Sequence, residues 1–191
     1  MIQYAIDAAQ AITSTVVVSS DSEEIGRYAM DRGCAWHIRD ERLCADDVPM
    51  VDVLLDVLEH QINPYNVVVM IYPCAPFVYV DDIRIGLKWV KHHRVVYPVY
   101  RSHEQPERAL LVHDGKVSPR FPEYKDINSD NFPQSYHSAG QWYVVDPAWL
   151  RLAKTLTPME AGYVEIPASR AIDIDTPDDW AMAELMYERL K

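Results

Sequence analysis

The sequence is short of basic residues, and that shortage excludes two classes of partner. Lys and Arg together number 18 against 29 Asp and Glu, which gives the 191-residue chain a formal net charge of -11. A general nucleic-acid binder needs a basic face to displace counterions from phosphates, and anionic membrane surfaces attract clusters of Lys and Arg. We therefore expect no nucleic acid and no membrane as a partner. A small anionic substrate is still compatible with this composition, because a local basic cluster can outweigh a negative total.

Cysteines are equally few, and long apolar runs are lacking. Cys34, Cys44 and Cys74 match no zinc or redox spacing, so we interpret them as buried or incidental thiols in a reducing compartment. The N-terminus has neither the basic start nor the apolar core of a signal peptide. No stretch approaches the roughly 18 apolar residues of a transmembrane helix. These features predict a soluble, cytoplasmic protein.

Glycines number only six, and the sequence contains neither a Walker loop nor a G-x-G-x-x-G fingerprint. What it does contain is an alternation of short β-branched runs with amphipathic helical segments. This alternation predicts an α/β fold with three layers, in which a mostly parallel sheet carries helices on both faces. We expect one domain over residues 1–191. Because the chain begins directly with a helix, we also expect that the first strand is absent and that the domain is N-terminally incomplete.

The stretch "AIDIDTPDDW" at residues 171–180 carries the strongest chemical signal. Thr176 and the residues after it have the composition of a helix cap. In a strand, Asp173 and Asp175 would project to the same face while the isoleucines face the core. Paired carboxylates are the hard oxygen ligands that Mg²⁺ prefers. Two interpretations are open on this evidence: a magnesium site and a solvated strand end.

Three further stretches combine polar or aromatic residues at predicted strand ends. Ser19 and Asp21 lie in "SSDSEEI", which could cap a helix or line a nucleotide pocket. Tyr72 and Pro73 belong to "YPCAPF" after a buried strand, which is either a plain turn or a rigid ligand-facing one. The stretch "YHSAGQWY" at residues 136–143 suits either sugar binding or aromatic packing.

Taken in order, these stretches resemble the acylneuraminate (nonulosonic acid) cytidylyltransferase family, and within it most closely the pseudaminic acid cytidylyltransferases. The likeness spans essentially the whole chain. It is carried by "MIQYAIDAA", "VVVSSDSEEIGRYAMDRG", "IRDERLCADD", "YPCAPFVYVDDIRIGL", "RALLVHDGKVSPRFPE", "FPQSYHSAGQWYV" and "IDIDTPDDWAMAELMY". The resemblance implies the Rossmann-like architecture of nucleotide-diphospho-sugar transferases. It also implies a reaction in which CTP and a sugar acid give a CMP-sugar and pyrophosphate, with Mg²⁺ as cofactor.

The resemblance further implies roles for individual residues. Asp173 and Asp175 match the family's metal-binding aspartates, and Ser19, Asp21 and Arg39 are expected near the nucleotide. The expected sugar-binding residues are Tyr72, Pro73, Arg108, Tyr136, His137, Gln141 and Tyr143, with Arg108 suited to a carboxylate. No general base is assigned. The resemblance also implies that the protein forms a homodimer.

Two departures from the family pattern qualify these expectations. The family's Gly- and Lys/Arg-rich phosphate loop is not contained in residues 1–191, so we predict little or no activity for this exact chain. In the sugar loop, Asn128, Ser129 and Asp130 stand where the family usually keeps an arginine. The alternative function is therefore an inactive or truncated relative that keeps the fold with at most weak binding. A third interpretation, a glycosyltransferase with a D-x-D metal site, is disfavoured by "YHSAGQWY".

Overall fold

The computed structural model describes residues 1–61 and 65–190. The helices are α1 Ile2–Gln10, α2 Glu23–Met30, α3 Met50–Glu59, α4 Val80–Trp89, α5 Pro147–Ala153 and α6 Pro177–Leu190. The strands are β1 Val17–Ser20, β2 Ala35–Ile38, β3 Val68–Ile71, β4 Val95–Arg101, β5 Leu110–His113, β6 Lys116–Pro119, β7 Tyr136–Ser138, β8 Trp142–Val145 and β9 Gly162–Glu165. Within the described residues, no helix is long and apolar enough to cross a bilayer.

The central sheet contains β3, β8, β4, β7 and β9, with helices on both faces. Val95 and Val96 are neighbours in β4 and therefore point to opposite faces. Val96 packs in a cluster with Ile83 of α4, whereas Val95 packs in a second cluster with Leu54 of α3 and Leu150 of α5. The predicted α/β class and its three layers are thus confirmed.

The expectation of a mostly parallel sheet is wrong for the pairings in this central sheet. β8 is antiparallel to both β3 and β4, β7 is antiparallel to β4, and only β9 pairs with β4 in parallel. As a result β3, β4 and β9 share one direction, and β8 runs against them between β3 and β4. A buried strand in either direction has the same apolar composition, so the sequence pattern carried no information on direction.

A large bulge, in which several residues have no partner on β4, joins β7 to β8 along one edge of β4. Val96 is opposite Val144, but Val99 is already opposite Ser138, so residues 139–143 face only two residues of β4. Ala139 N–H donates to the Pro98 carbonyl at 2.9 Å, which keeps the bulge attached. The bulge turns at Gly140, whose φ is +63°. Bulges of this kind re-aim side chains beside functional sites.

The β1–β2 pair is parallel and forms a separate two-stranded sheet. Its cluster of Ile6, Ala29 and Cys34 ties α1 and α2 to these strands. A cavity of about 710 Å³ lies between β1 and β3 and is lined by both strands together with α1 and α3. In the described part of the chain, β1 and β3 each pair with one strand only, β2 and β8 respectively.

Short-range sequence signals predict other elements correctly. Asp114 and Gly115, both at positive φ, form the two-residue turn of the β5–β6 hairpin. Ser22 caps α2, because its Oγ accepts from the Ile25 N–H at 3.4 Å. The composition of segment 118–138 predicts a long loop, and this is wrong in part: the segment contains the end of β6, two short 3₁₀ turns at 122–124 and 129–131, and the whole of β7.

Candidate active site

Three segments meet at the carboxyl end of β3. The Tyr72 N–H donates to the Gln141 carbonyl at 2.9 Å, which joins the end of β3 to the bulge. The Ile174 N–H donates to the Cys74 carbonyl at 3.1 Å, which joins the same turn to the aspartate segment. Two single backbone hydrogen bonds thus bring residues 72–74, 140–141 and 173–175 together. This edge of an α/β sheet is where such folds bind ligands.

Asp173 is the central side chain of this meeting point. Its Oδ1 is buried and has no hydrogen-bond partner among the described residues. Its Oδ2 lies so close to Gly140 that a Cβ on that residue would be 2.7 Å away. None of the ion pairs formed by the described residues involves Asp173 or Asp175. A buried carboxylate oxygen without a partner is costly, so this atom is available to a cation or a donor from a ligand.

The predicted same-face geometry of Asp173 and Asp175 is wrong, because residues 171–175 do not form a strand. The segment follows a 3₁₀ turn at Ala168–Arg170, and Ile174 makes the one backbone hydrogen bond to the end of β3. Asp173 is half-buried and Asp175 is exposed. The two carboxylates therefore differ in environment while remaining two residues apart.

The cap interpretation of the residues that follow is confirmed. The Asp179 N–H donates to Thr176 Oγ1 at 3.2 Å, and the Thr176 N–H donates back to Asp179 Oδ2 at 2.8 Å. This reciprocal pair starts α6. Hydrogen bonds from the Thr176 side chain and backbone lower the pKa of Asp179. Asp179 is therefore occupied by the helix terminus, unlike Asp173.

Two neighbours of Asp173 are held in their neutral forms. Burial, with a hydrogen bond to Asp173 and its negative charge, raises the pKa of the Cys74 thiol to about 12. Burial, with the nearby Tyr143, Cys74 and Asp173, raises the pKa of Tyr72 to about 12 as well. The thiol is thus a donor beside Asp173 and not a nucleophile. No sequence pattern places Cys74 here, because the contact joins residues about a hundred positions apart.

The expected nucleotide residues Ser19 and Arg39 are brought together at the ends of β1 and β2. Arg39 Nε donates to Ser19 Oγ at 3.3 Å, and its terminal nitrogen donates to the Ser19 carbonyl at 2.9 Å. Both residues line the 710 Å³ cavity, as do Tyr72 and Pro73. Asp21 is exposed and does not line that cavity. The cavity therefore has a polar rim at the strand ends and an apolar interior.

The expected sugar residues divide into an exposed group and a buried group. Arg108 and His137 line a second cavity of about 430 Å³, and His137 stacks on Tyr100 with ring centroids 5.7 Å apart. Tyr136 is exposed, with its ring centroid 6.5 Å from that of Tyr163. Because these three side chains are exposed, they would be able to contact a substrate directly.

Gln141 and Tyr143 are buried, with 1% and 8% of their surfaces exposed. The Gln141 amide donates to the Arg170 carbonyl, and Tyr143 packs against Tyr72 and Tyr97. Their burial makes them supports of the site in this structure, and their contact with a sugar stays a prediction.

Arg170 is a supporting residue that the sequence did not reveal. Its guanidinium pairs with Asp82 at 2.5 Å and lies 4.1 Å from the centre of the Tyr79 ring. It is buried, and its carbonyl accepts from Gln141. Arg170 therefore anchors the turn that leads into Asp173 to the start of α4. Only the long-range pairing identifies it, since an isolated arginine carries no pattern.

Known proteins resemble this chain in sequence and in fold. No protein-family model matches the chain. A CMP-N,N'-diacetyllegionaminic acid synthase from Legionella pneumophila is 27% identical over an alignment that covers 91% of this chain and 78% of that protein. The solved structure of a CMP:2-keto-3-deoxy-manno-octonic acid synthetase complexed with CTP matches with a TM-score of 0.71, at 13% identity over 100% of this chain and 88% of that one. The chain is thus similar in sequence to a nonulosonic acid cytidylyltransferase and similar in fold to a CMP-sugar synthetase.

A second solved structure extends the likeness beyond the nonulosonic acid cytidylyltransferases. The 4-diphosphocytidyl-2C-methyl-D-erythritol synthase of Anaerococcus prevotii matches with a TM-score of 0.63, at 12% identity over 96% of this chain and 85% of that one. At such identities the two structures establish the fold alone. Both share with this chain the Rossmann-like α/β architecture described above.

Proposed function

We propose that this protein is a cytidylyltransferase that forms a CMP-activated nonulosonic acid and pyrophosphate from CTP and the sugar acid. The observation that carries the proposal is Asp173, whose buried Oδ1 lacks a partner among the described residues at the ligand-binding edge of a cytidylyltransferase fold. The sugar's anomeric hydroxyl would attack the α-phosphate of CTP in line and displace pyrophosphate. The cytoplasmic location expected from the sequence stays a prediction.

The donor set suits Mg²⁺. Asp173 and Asp175 would hold the ion through carboxylate oxygens, and substrate phosphates and waters would complete its coordination. The buried Oδ1 of Asp173 fits this role, because it has no hydrogen-bond partner among the described residues. The neighbouring Cys74 thiol is neutral and therefore does not compensate the negative charge of the carboxylate. When bound, the ion supplies positive charge against the phosphates.

The two groups of polar residues suggest how the substrates would be divided. Ser19 and Arg39, on the rim of the larger cavity, would contact the nucleotide. Arg108 and His137, which line the smaller cavity, would contact the sugar acid. A guanidinium fork matches a carboxylate, and Arg108 is the cation of that cavity lining. Tyr72 would remain a neutral hydroxyl donor between the aspartates and the bulge.

The test is release of pyrophosphate from CTP in the presence of Mg²⁺ and a panel of nonulosonic acids, with the CMP-sugar identified by mass spectrometry. We expect the low turnover of the unaltered chain to fall on the order of 10²-fold further in Asp173→Asn, as for loss of one electrostatic contact to a transition state, and to fall in Asp175→Asn as well. Asp178→Asn is the matched control, because Asp178 is exposed in the same stretch and belongs to α6. Equal activity of Asp173→Asn and Asp178→Asn would contradict the proposal.

The sugar panel also addresses specificity. The sequence resembles most the enzymes for pseudaminic acid, whereas the curated relative is named for a legionaminic acid derivative. Pseudaminic, legionaminic and sialic acids should therefore all be compared. Arg108→Gln should lower turnover of all three acids to a similar degree, because each carries the carboxylate that Arg108 is proposed to bind.

The second candidate is a relative that keeps the fold and binds nucleotide weakly without turnover. It is favoured by one observation: in the sugar loop, Asn128, Ser129 and Asp130 stand where the family usually keeps an arginine. Calorimetric titration with CTP separates the candidates. Binding without pyrophosphate release supports this second candidate, whereas failure to bind CTP at all contradicts both.

A further inference from the structure

A cluster of two histidines and one aspartate lies outside the site described above. His37 is on β2, Asp56 is on α3, and His60 follows α3 directly. His37 Nε2 lies 3.3 Å from Asp56 Oδ2 and 3.4 Å from His60 Nδ1, and one ligand atom from each residue lies within 4.8 Å of the others. His37 and Asp56 are buried, whereas the His60 side chain is 62% exposed.

These separations fit the coordination sphere of zinc. Zinc binds imidazole nitrogen and carboxylate oxygen at about 2.0–2.2 Å in tetrahedral geometry, so two of its ligand atoms stand about 3.4 Å apart. Both distances from His37 Nε2, 3.3 Å to Asp56 Oδ2 and 3.4 Å to His60 Nδ1, match this separation. Imidazole ligands favour zinc over magnesium. The cluster is therefore chemically distinct from the carboxylates of Asp173 and Asp175.

The surroundings orient His37 as a ligand. Its Nδ1 lies 3.1 Å from Ser19 Oγ, which already accepts a hydrogen bond from Arg39 Nε. When Ser19 Oγ accepts a hydrogen bond from the His37 Nδ1–H, the neutral imidazole has no proton on Nε2, the nitrogen that lies next to Asp56. Such outer contacts fix the tautomer of metal-binding histidines.

The charge of Asp56 also points to a cation. The Asp56 carboxylate is only 8% exposed. Among the Lys and Arg residues of the described chain, it pairs with Arg42, whose terminal nitrogen lies 3.5 Å from Asp56 Oδ1. The Arg42 side chain itself is 70% exposed. A long, solvent-screened contact of this kind compensates a buried charge poorly. A divalent ion between His37 and Asp56 would compensate it directly.

We propose that His37, Asp56 and His60 form a zinc site that joins β2 to α3, with the exposed side of His60 leaving one coordination position open to solvent. His60 would exchange the present 2.8 Å hydrogen bond between its Nδ1 and the Asp56 carbonyl for a bond to the metal. Because Ser19 contacts both His37 and Arg39, the bound ion would also restrain the rim of the larger cavity.

The test is titration of the purified, tag-free chain with Zn²⁺ by calorimetry, and with Co²⁺ by visible spectroscopy. We expect one tightly bound ion per chain and the visible bands of tetrahedral cobalt. His60→Gln should weaken binding by more than about tenfold and abolish those bands; as His60 is exposed, this variant should fold. Ser19→Ala should weaken binding by about 10- to 100-fold through loss of the outer contact.

Two controls make the outcome decisive. His113→Gln removes an exposed histidine that lies 3.0 Å from Asp114. This pair offers only two ligands, too few for a tetrahedral site, so the variant should bind zinc as the unaltered chain does. Asp173→Asn should also bind zinc normally, which separates this site from the proposed magnesium site. Zinc binding that is undetectable, or that is unchanged in His60→Gln, would overturn the proposal.

Discussion

The contact between Gly140 and Asp173 gives the sharpest test of the candidate site. Gly140 has a φ of +63°, and a Cβ there would lie 2.7 Å from Asp173 Oδ2. Gly115, in the hairpin turn, has a φ of +69°, but a Cβ there would meet nothing within 4 Å. Alanine at either position has the same backbone cost, about 1–2 kcal/mol for a left-handed residue with a side chain. Alanine at 140 also meets the carboxylate.

The difference between the two variants therefore isolates the Asp173 contact. Overpacking typically costs about 1–3 kcal/mol, so Gly140→Ala should lower the free energy of unfolding by about that much more than Gly115→Ala. The assay is urea unfolding of both variants and the unaltered chain. Gly140→Ala should also weaken Mg²⁺-dependent CTP binding, because the carboxylate must move. Equal losses of stability in both variants would refute the placement of Asp173 against Gly140.

The remaining predictions concern a helix cap and the homodimer that the resemblance implies. Asp146 caps α5, and although partial burial raises its pKa, hydrogen bonds from Trp149, Arg94 and Ala148 lower it overall. Asp146→Ala should lower the free energy of unfolding by about 1 kcal/mol at neutral pH. Because the pKa of Asp146 is depressed in the folded protein, urea unfolding should show this difference between the two proteins disappear as the pH falls through that pKa. A difference that stays constant with pH would contradict the reasoning. Val112 and Val117 of the β5–β6 hairpin are 76% and 63% exposed, and an apolar patch of this kind commonly marks an interface. Light scattering is expected to report a dimer that Val112→Lys converts to monomer, and a monomeric unaltered chain would contradict the expectation.

Features that depend on neighbouring residues were predictable from the sequence. The cap at Thr176, the cap at Ser22 and the turn at Asp114–Gly115 all follow from side chains that act on backbone groups within three positions. The alternation of strands and helices likewise follows from local periodicity. The α/β class and most element positions therefore follow from short-range patterns alone.

Strand direction and strand geometry could not be predicted in this way. Val144 and Val145 have the composition of a buried strand whichever way it runs, yet β8 lies antiparallel between β3 and β4. Asp173 and Asp175 alternate with isoleucines as in a strand, yet their segment has a single backbone link to Cys74. Both differences arise because pairing depends on partners far along the chain.

The sequence by itself determined the class of fold, the family likeness and the identity of the acidic residues that would bind a metal, since these reside in composition and local order. Tertiary structure decided which of those acids has an oxygen unpartnered by the described residues, and that His37, Asp56 and His60 form one cluster. The physical reason is that burial and ligand geometry are properties of several segments at once. Residues about 20 to 100 positions apart set the environment of each atom, and no local pattern encodes that distance.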